Sequence, residues 1–286
     1  LGQSGLFFVN IANTTYNLFV ADGAVIQNNI GSNLTGVLHA DVLDGTFSIQ
    51  FSSNTLFEDN QSALGLAGIM AAQLHNASGI ISFSQSTLRA NSGPLASAIY
   101  IDATGDKTTF TMSDTILDGN LGTTAAVQLR NRVVANFIDS TFQNHNTTAL
   151  WVSMDTPDPF ALQLKRLSFM NNEATTEMAT DIEVFTTQPT ATVNLQGLTT
   201  TLLQASDLST RLTLVSTPQL AGPFRVSIPA FADDGLQPLI SVPNAHYALN
   251  DSQSEANIYA PGLCHVATEF LKNTTLLALR YSPCSD

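Results

Sequence analysis

Seven asparagines and two cysteines are the residues whose type and spacing indicate chemistry in this chain of 286 residues. Each asparagine begins an Asn-x-Ser/Thr tripeptide, the acceptor for N-linked glycans in secreted proteins. These asparagines are Asn13, Asn33, Asn60, Asn76, Asn146, Asn250 and Asn273. In an oxidising compartment Cys264 and Cys284 would form a disulfide and close a short loop, a stabilisation of about 3 kcal/mol. Two free thiols in a cytosolic protein are the alternative. The tripeptides favour an extracellular or cell-surface glycoprotein with the disulfide.

Patterns for catalysis and for metal binding are sparse. The histidines are isolated from one another and lack zinc-site spacing: His39, His75, His145, His246 and His265. Asp233 and Asp234 precede Gly235, a combination typical of a turn. The acidic stretches 102–106 and 114–118 lack the fixed ligand order of a calcium loop. We therefore expect no catalytic residue, no metal and no cofactor, and we do not expect an enzyme.

The charge of the chain limits its partners. The net charge is −13, and only 10 residues are Lys or Arg. A phosphate backbone or an anionic membrane surface needs clustered cations, so neither is an expected partner. No apolar run approaches the ~18 residues of a membrane-spanning helix, so membrane insertion is not expected either.

A degenerate repeat runs through the first two thirds of the chain. Each copy has a Ser/Thr-rich step, an apolar anchor, and an Asn three residues after the anchor. The anchors are Ile26, Phe57, Leu88, Leu117, Phe142 and Phe169, spaced by 31, 31, 29, 25 and 27 residues. The asparagines are Asn29, Asn60, Asn91, Asn120 and Asn172, and His145 takes this place in the fifth copy. We predict that these asparagines adopt a left-handed backbone conformation in a tight turn and stack as an amide ladder.

Alternating apolar segments flank the copies and indicate strands with one buried face. Phe47–Phe51 and Thr109–Met112 come before a copy, while Ala98–Ile101 and Ala126–Leu129 come after one. Three short strands in about 28 residues leave no room for the helix that usually connects parallel strands. The sequence therefore predicts a solenoid in which successive copies stack as three parallel sheets.

These copies resemble the coils of right-handed parallel β-helices in the pectin-lyase-like superfamily. They are most similar to the Phe-x-x-Asn repeats of polymorphic outer-membrane-type adhesins and related surface proteins. The resemblance covers residues 16 to 200, and it implies an elongated solenoid, commonly extracellular, for carbohydrate contact, adhesion or surface structure. The Gly-His-Gly and Arg-x-Lys elements of the superfamily's hydrolases are missing, so no active site is carried over.

We therefore expect an all-β protein with two parts. Residues 1–203 form a right-handed parallel β-helix of about six to seven coils. Residues 204–286 form a β-rich C-terminal cap or a small β-sandwich, closed by Cys264 and Cys284. Solenoids need such caps, since an open end exposes unpaired backbone groups.

The expected function is that of an extracellular structural or adhesive glycoprotein. It would self-associate as a homo-oligomer or as a fibre assembled head to tail, with carbohydrate as a further partner. A carbohydrate-active enzyme, either a lyase or a hydrolase, or a glycan-binding module is the alternative. Tyr100 and Trp151 alternate with inward positions and are expected to point outward, where they could stack on sugars. The basic pairs Arg130/Arg132 and Lys165/Arg166 form a small patch on neighbouring coils or lie on separate solvated faces.

Overall fold

The protein is a parallel β-solenoid. The computed structural model describes residues 5–154, 161–170 and 172, and beyond these the backbone of short strands between 182 and 283. All of the regular secondary structure in these residues consists of β-strands. The predicted fold class, an all-β parallel solenoid, is confirmed for this part of the chain.

Each of the first four coils has four strands, one more than the three expected, whereas three are described in the fifth and sixth coils. In chain order the strands are β1 (Phe7–Ala12), β2 (Thr15–Val20), β3 (Val25–Gln27), β4 (Ile30–Gly31), β5 (Leu38–Leu43), β6 (Thr46–Phe51), β7 (Leu56–Glu58), β8 (Gln61–Ser62), β9 (Met70–His75), β10 (Ser78–Ser84), β11 (Thr87–Arg89), β12 (Ser92–Gly93), β13 (Ala96–Ser113), β14 (Ile116–Asp118), β15 (Leu121–Gly122), β16 (Ala125–Ile138), β17 (Thr141–Gln143), β18 (Thr148–Met154), β19 (Ala161–Lys165) and β20 (Ser168–Met170). The fourth strand has only two residues, too short for an alternating pattern.

Like strands of successive coils pair in parallel and form four ladders. The first ladder contains β1, β5, β9, the first part of β13, the first part of β16, and β18. The second contains β2, β6, β10, the second parts of β13 and β16, and β19. The third contains β3, β7, β11, β14, β17 and β20. The fourth contains β4, β8, β12 and β15.

The six apolar anchors of the repeat stack directly on one another in the third ladder. Phe57 pairs with Ile26 on one side and with Leu88 on the other. The series continues through Leu117, Phe142 and Phe169. Coil lengths of 25 to 31 residues therefore preserve one register, because the length differences fall outside this strand.

The turn after the anchor differs from our expectation in one detail. The residue with the left-handed backbone is the one before the ladder asparagine: Asn28, Asp59, Ala90, Gly119 and Asn144, with φ between 52° and 58°. The prediction that the ladder asparagines themselves are left-handed is therefore wrong. A left-handed residue turns the chain at the end of the anchor strand, and the next side chain then points into the solenoid.

Stacked phenylalanines fill much of the interior. The rings of Phe51 and Phe83 lie 4.5 Å apart, and Phe83, Phe110 and Phe137 continue the column at 6.3 and 5.3 Å. All four are buried. Truncation of one such ring to Ala typically costs about 3–5 kcal/mol, so this column makes a large contribution to stability.

Eight of the ten strands described after the sixth coil continue the parallel pairing. The ten strands are β21 (Ile182–Thr186), β22 (Thr192–Gln196), β23 (Leu198–Thr201), β24 (Leu212–Ser216), β25 (Arg225–Ser227), β26 (Ile240–Ser241), β27 (Ala245–Leu249), β28 (Asn257–Tyr259), β29 (Leu263–Thr268) and β30 (Leu279–Pro283). β24 and β27 extend the first ladder, while β29 and β30 pair with each other in antiparallel order. Cys284 and the pair Asp233 and Asp234 lie outside the described residues. The boundary at 203/204, the cap and the Cys264–Cys284 disulfide remain predictions.

Candidate functional site

The repeat asparagines form a hydrogen-bonded ladder inside the solenoid. Asn29 Nδ2 donates to Asn60 Oδ1 at 2.8 Å, and the same bond joins Asn60 to Asn91 and Asn91 to Asn120 at 2.9 Å. Each accepting oxygen also receives the backbone N–H of the preceding ladder residue, at 3.0 to 3.2 Å. The ladder satisfies buried polar groups at the corner, and its role is structural rather than chemical.

His145 interrupts this ladder in the fifth coil. Its Nδ1 donates to the backbone carbonyl of Asn120 at 3.4 Å, and its backbone N–H donates to Asn172 Oδ1 at 3.1 Å. Its Nε2 is buried without a hydrogen-bond partner. Burial lowers the pKa of His145 to about 4, so the ring is neutral at pH 7.

The predicted glycosylation sites differ in accessibility. Asn13, Asn33 and Asn76 are exposed and Asn146 is half-buried, whereas Asn250 and Asn273 lie outside the described residues. Asn60 is fully buried, and its Nδ2 donates to Ile26 O and Asn91 Oδ1. We therefore expect no glycan on Asn60 in the folded protein, because the nitrogen that would carry the sugar is enclosed in the ladder.

A polar cluster lies on the outer face of the first ladder. We call Tyr100, Asp102, Gln128, Arg130 and Asn131 the outer-face cluster. The register places Tyr100 beside Gln128 and Asp102 beside Arg130, on neighbouring coils. Tyr100 Oη donates to Asp102 Oδ2 at 3.3 Å and accepts from Arg130 Nη1 at 3.4 Å, while Asn131 Nδ2 donates to Asp102 Oδ1. The cluster therefore joins a phenol, a carboxylate, a guanidinium and two amides.

Tyr100 points away from the interior but is not exposed. Only 3% of the residue is accessible, because its ring packs outside the main core against Ala67, Ala71 and Ala96, with Leu66 beside them. The expectation of an outward direction holds, whereas an exposed stacking ring at this position is wrong. Burial raises the pKa of Tyr100, which keeps the phenol protonated as a hydrogen-bond donor.

Gln128 is a member of the cluster whose side-chain oxygen has unused hydrogen-bonding capacity. It is 5% exposed, and its Oε1 has no hydrogen-bond partner. A buried amide oxygen without a donor costs about 1–3 kcal/mol. Trp151, the next residue in this column, is half-buried, so part of its ring remains accessible.

Of the two alternatives for the basic pairs, the structure favours separate faces. Arg130 belongs to the first ladder, whereas Arg166 lies at the corner between the second and third ladders and forms an ion pair with Asp139. The guanidinium of Arg166 lowers the pKa of the Asp139 carboxyl through its hydrogen bonds. The second ladder separates the two arginines, so each belongs to a different face.

The geometry of the outer-face cluster suits a ligand that is rich in hydroxyl groups. Fixed donors and acceptors next to a partly exposed ring provide orientation and stacking. Among the described residues, no group of three or more His, Cys, Asp or Glu is arranged to hold a metal ion. No helix in this same part of the chain is long and apolar enough to cross a membrane. No family model, curated protein or solved structure matches the chain.

Proposed function

We propose that this protein is an extracellular adhesive or structural solenoid that contacts carbohydrate through the outer-face cluster. The observation that carries the proposal is the unpartnered Oε1 of Gln128, held in a buried position beside Tyr100. When the Gln128 side chain turns outward, a sugar hydroxyl can donate to this oxygen and remove the cost of leaving it without a donor. The exposed part of Trp151 offers an apolar surface for the face of the same sugar ring.

The exposed asparagines and the low charge support the extracellular part of the proposal. Charged residues make up 12% of the chain, about half of the usual share. Asn13, Asn33 and Asn76 are accessible to the glycosylation machinery. Attached glycans supply the hydration that such a weakly charged surface lacks. Mass spectrometry of the native protein tests this part directly, since unmodified asparagines at all three positions would contradict it.

A glycan array followed by titration calorimetry with the best oligosaccharide tests the contact. Gln128→Leu and Trp151→Ala are each expected to weaken binding about tenfold or more, since each removes a central contact. Gln163→Leu is the matched control, because Gln163 is exposed on the second ladder. The stability of Gln128→Leu should equal or exceed that of the wild type, which separates lost binding from lost folding. No binding by the wild type, or equal losses in all three variants, would contradict the proposal.

Catalysis at this cluster is the less favoured alternative. Hydrolysis of a glycosidic bond needs two carboxylates that face one bond. The outer-face cluster contributes Asp102 alone, and both of its oxygens already accept hydrogen bonds. Release of reducing sugars from pectin or alginate, together with its loss in Asp102→Asn, would favour the enzyme.

A fibre subunit is a second candidate, and the first coil favours it. The inward residues Val9, Tyr16 and Leu18 are only partly buried, and Phe8 is 50% exposed. The edge of a sheet offers unpaired backbone groups to another chain. Contacts that join one end of a molecule to the other end of the next do not close, and they give filaments. Electron micrographs of concentrated protein that contain only dispersed monomers would count against the fibre.

A further inference from the structure

The outer face of the second ladder carries no charge in its two central columns. One column consists of Asn17, Ser48, Ile80, Thr109 and Val134. The other consists of Phe19, Gln50, Ser82, Thr111, Asn136 and Gln163. We call these eleven residues the second-ladder face. None is fully buried, and Phe19 and Ile80 are 65% and 46% exposed.

We propose that the second-ladder face is the contact between two copies of this chain, packed face to face and antiparallel about a two-fold axis. Two molecules with a net charge of −13 repel each other, and the repulsion is least where the touching surfaces are neutral. The outer face of the first ladder carries Asp41, Asp102 and Arg130, and that of the third carries Glu58, Arg89 and Asp118, so each of these faces is charged. The fourth ladder is uncharged as well, but its strands have only two residues, so the second ladder offers two copies the widest uncharged face.

The charges along the borders of the face fix the antiparallel orientation. Exposed acidic residues lie at the corners of the first two coils, Asp22 next to the third ladder and Asp44 next to the first. Basic residues lie on the same two borders in the last two coils, Lys165 on the side of Asp22 and Arg132 on the side of Asp44. The side of Asp22 also carries Asp114 in the fourth coil and Asp139, which is paired with Arg166, in the fifth. An antiparallel two-fold axis places the first coil opposite the sixth and the second opposite the fifth. Asp22 then approaches Lys165 of the other copy, and Asp44 approaches Arg132.

The size of the face indicates a weak contact. Six coils spaced by about 4.8 Å and strands of six residues cover about 25 by 20 Å. Two copies would therefore bury roughly 1,000 Å² in total, near the lower limit for a specific interface. We expect dimers that form as the concentration rises. This contact uses a different surface from the head-to-tail contact of the fibre, so either proposal can fail alone.

The antiparallel arrangement makes a specific pair of residues meet. The third coil of one copy lies opposite the fourth coil of the other, so Ser82 faces Thr111 twice at the centre of the contact. The variant Ser82→Asp/Thr111→Asp places two like-charge pairs there, and we expect the association constant to fall at least about tenfold. The variant Ser82→Asp/Thr111→Lys makes both pairs opposite in charge, and we expect association within about threefold of the wild type.

Sedimentation velocity of the full chain over a range of concentrations measures how much monomer and dimer the wild type and each variant form. Thr87→Asp/Ile116→Asp is the matched control, because these residues are neighbours on the third ladder in the same two coils; it should dimerise like the wild type. The mass should level off at twice that of the monomer, whereas a fibre continues to grow. A wild type that stays monomeric at about 1 mM, or a Ser82→Asp/Thr111→Asp variant that associates like the wild type, overturns the proposal. Equal weakening in the Ser82→Asp/Thr111→Lys variant overturns the antiparallel orientation.

Discussion

His145→Asn is expected to stabilise the protein, because it restores the asparagine ladder at its one described interruption. In the coils before it, each ladder oxygen accepts two hydrogen bonds, one from a side chain and one from the backbone. The amide oxygen introduced by the substitution would accept the same two bonds from Asn120, each a net gain of about 1 kcal/mol. The substitution also removes the buried Nε2 that has no partner, a gain of about 1–3 kcal/mol.

Three losses oppose these gains. The hydrogen bond from His145 Nδ1 to the carbonyl of Asn120 is removed, which costs about 1 kcal/mol. The Asn side chain is smaller by roughly 40 Å³, and a residual cavity of that size costs about 1 kcal/mol. The edge contact between His145 and Phe142, at 6.4 Å between ring centres, is lost as well and accounts for about 0.5–1 kcal/mol. The balance is a stabilisation of about 1 kcal/mol at pH 7.

The pH dependence gives the sharper test of the same substitution. The pKa of His145 is about 4 in the folded protein and 6.5 for an ordinary histidine. Between these values the unfolded chain binds a proton that the folded chain does not, so stability falls as the pH decreases from 6.5 to 4. The full difference corresponds to about 3 kcal/mol, which is present above pH 6.5 and lost near pH 4. Burial lowers the pKa of His39 too, so part of the pH dependence remains in His145→Asn.

Urea unfolding of both proteins at pH 7, 6, 5 and 4.5 measures the difference. The advantage of His145→Asn should grow by roughly 1 kcal/mol for each pH step of one below 6.5. His75→Asn is the control, since the ring of His75 is exposed and bonds only to Thr104 in the described structure. Parallel pH profiles for wild type and His145→Asn, or a variant that is less stable at pH 7, would refute the reasoning.

Three further predictions concern the buried interior and the glycosylation of the surface. Asn91→Ala removes the oxygen that accepts from the backbone and the side chain of Asn60, and should cost about 3–5 kcal/mol in urea unfolding. Phe110→Ala should cost a similar amount, about 3–5 kcal/mol, whereas Phe110→Leu should cost less than half of that because most of the ring volume is retained. Peptide mapping of the secreted protein should find glycans at Asn13, Asn33 or Asn76 and none at Asn60; an occupied Asn60 in folded protein would contradict the buried ladder.

The fold was predictable because the residues in and around the third-ladder strand recur at the same spacing in successive coils. Thr55, Phe57 and Asn60 occupy the same relative places as Ser86, Leu88 and Asn91, and all six residues are buried. The corner before the anchor requires a small hydroxyl side chain, the anchor fills the interior, and the asparagine joins the ladder. Such a unit is recognisable even when only a few residues recur.

The outer-face cluster was not predictable as a group, because its members and the adjoining Trp151 lie at unequal distances from their anchors. Tyr100 follows Leu88 by 12 residues, Gln128 follows Leu117 by 11, and Trp151 follows Phe142 by 9. The segment between the fourth and first ladders shortens along the chain, so residues that stack in space do not align in sequence. The outward direction of Tyr100 followed from its strand, but its burial depends on Ala67 and Ala96 of this same segment.

The division of each coil into an invariant corner and adjustable segments has a consequence for engineering. Foreign peptides grafted between Gly93 and Ala96, or at the bend after Ala103, would leave the stacked unit untouched, because natural coils already change in length there. Peptides placed at these sites in successive coils would be displayed about 4.8 Å apart along a rigid rod. The chain could thus serve as a display scaffold that holds epitopes at a spacing set by backbone hydrogen bonds.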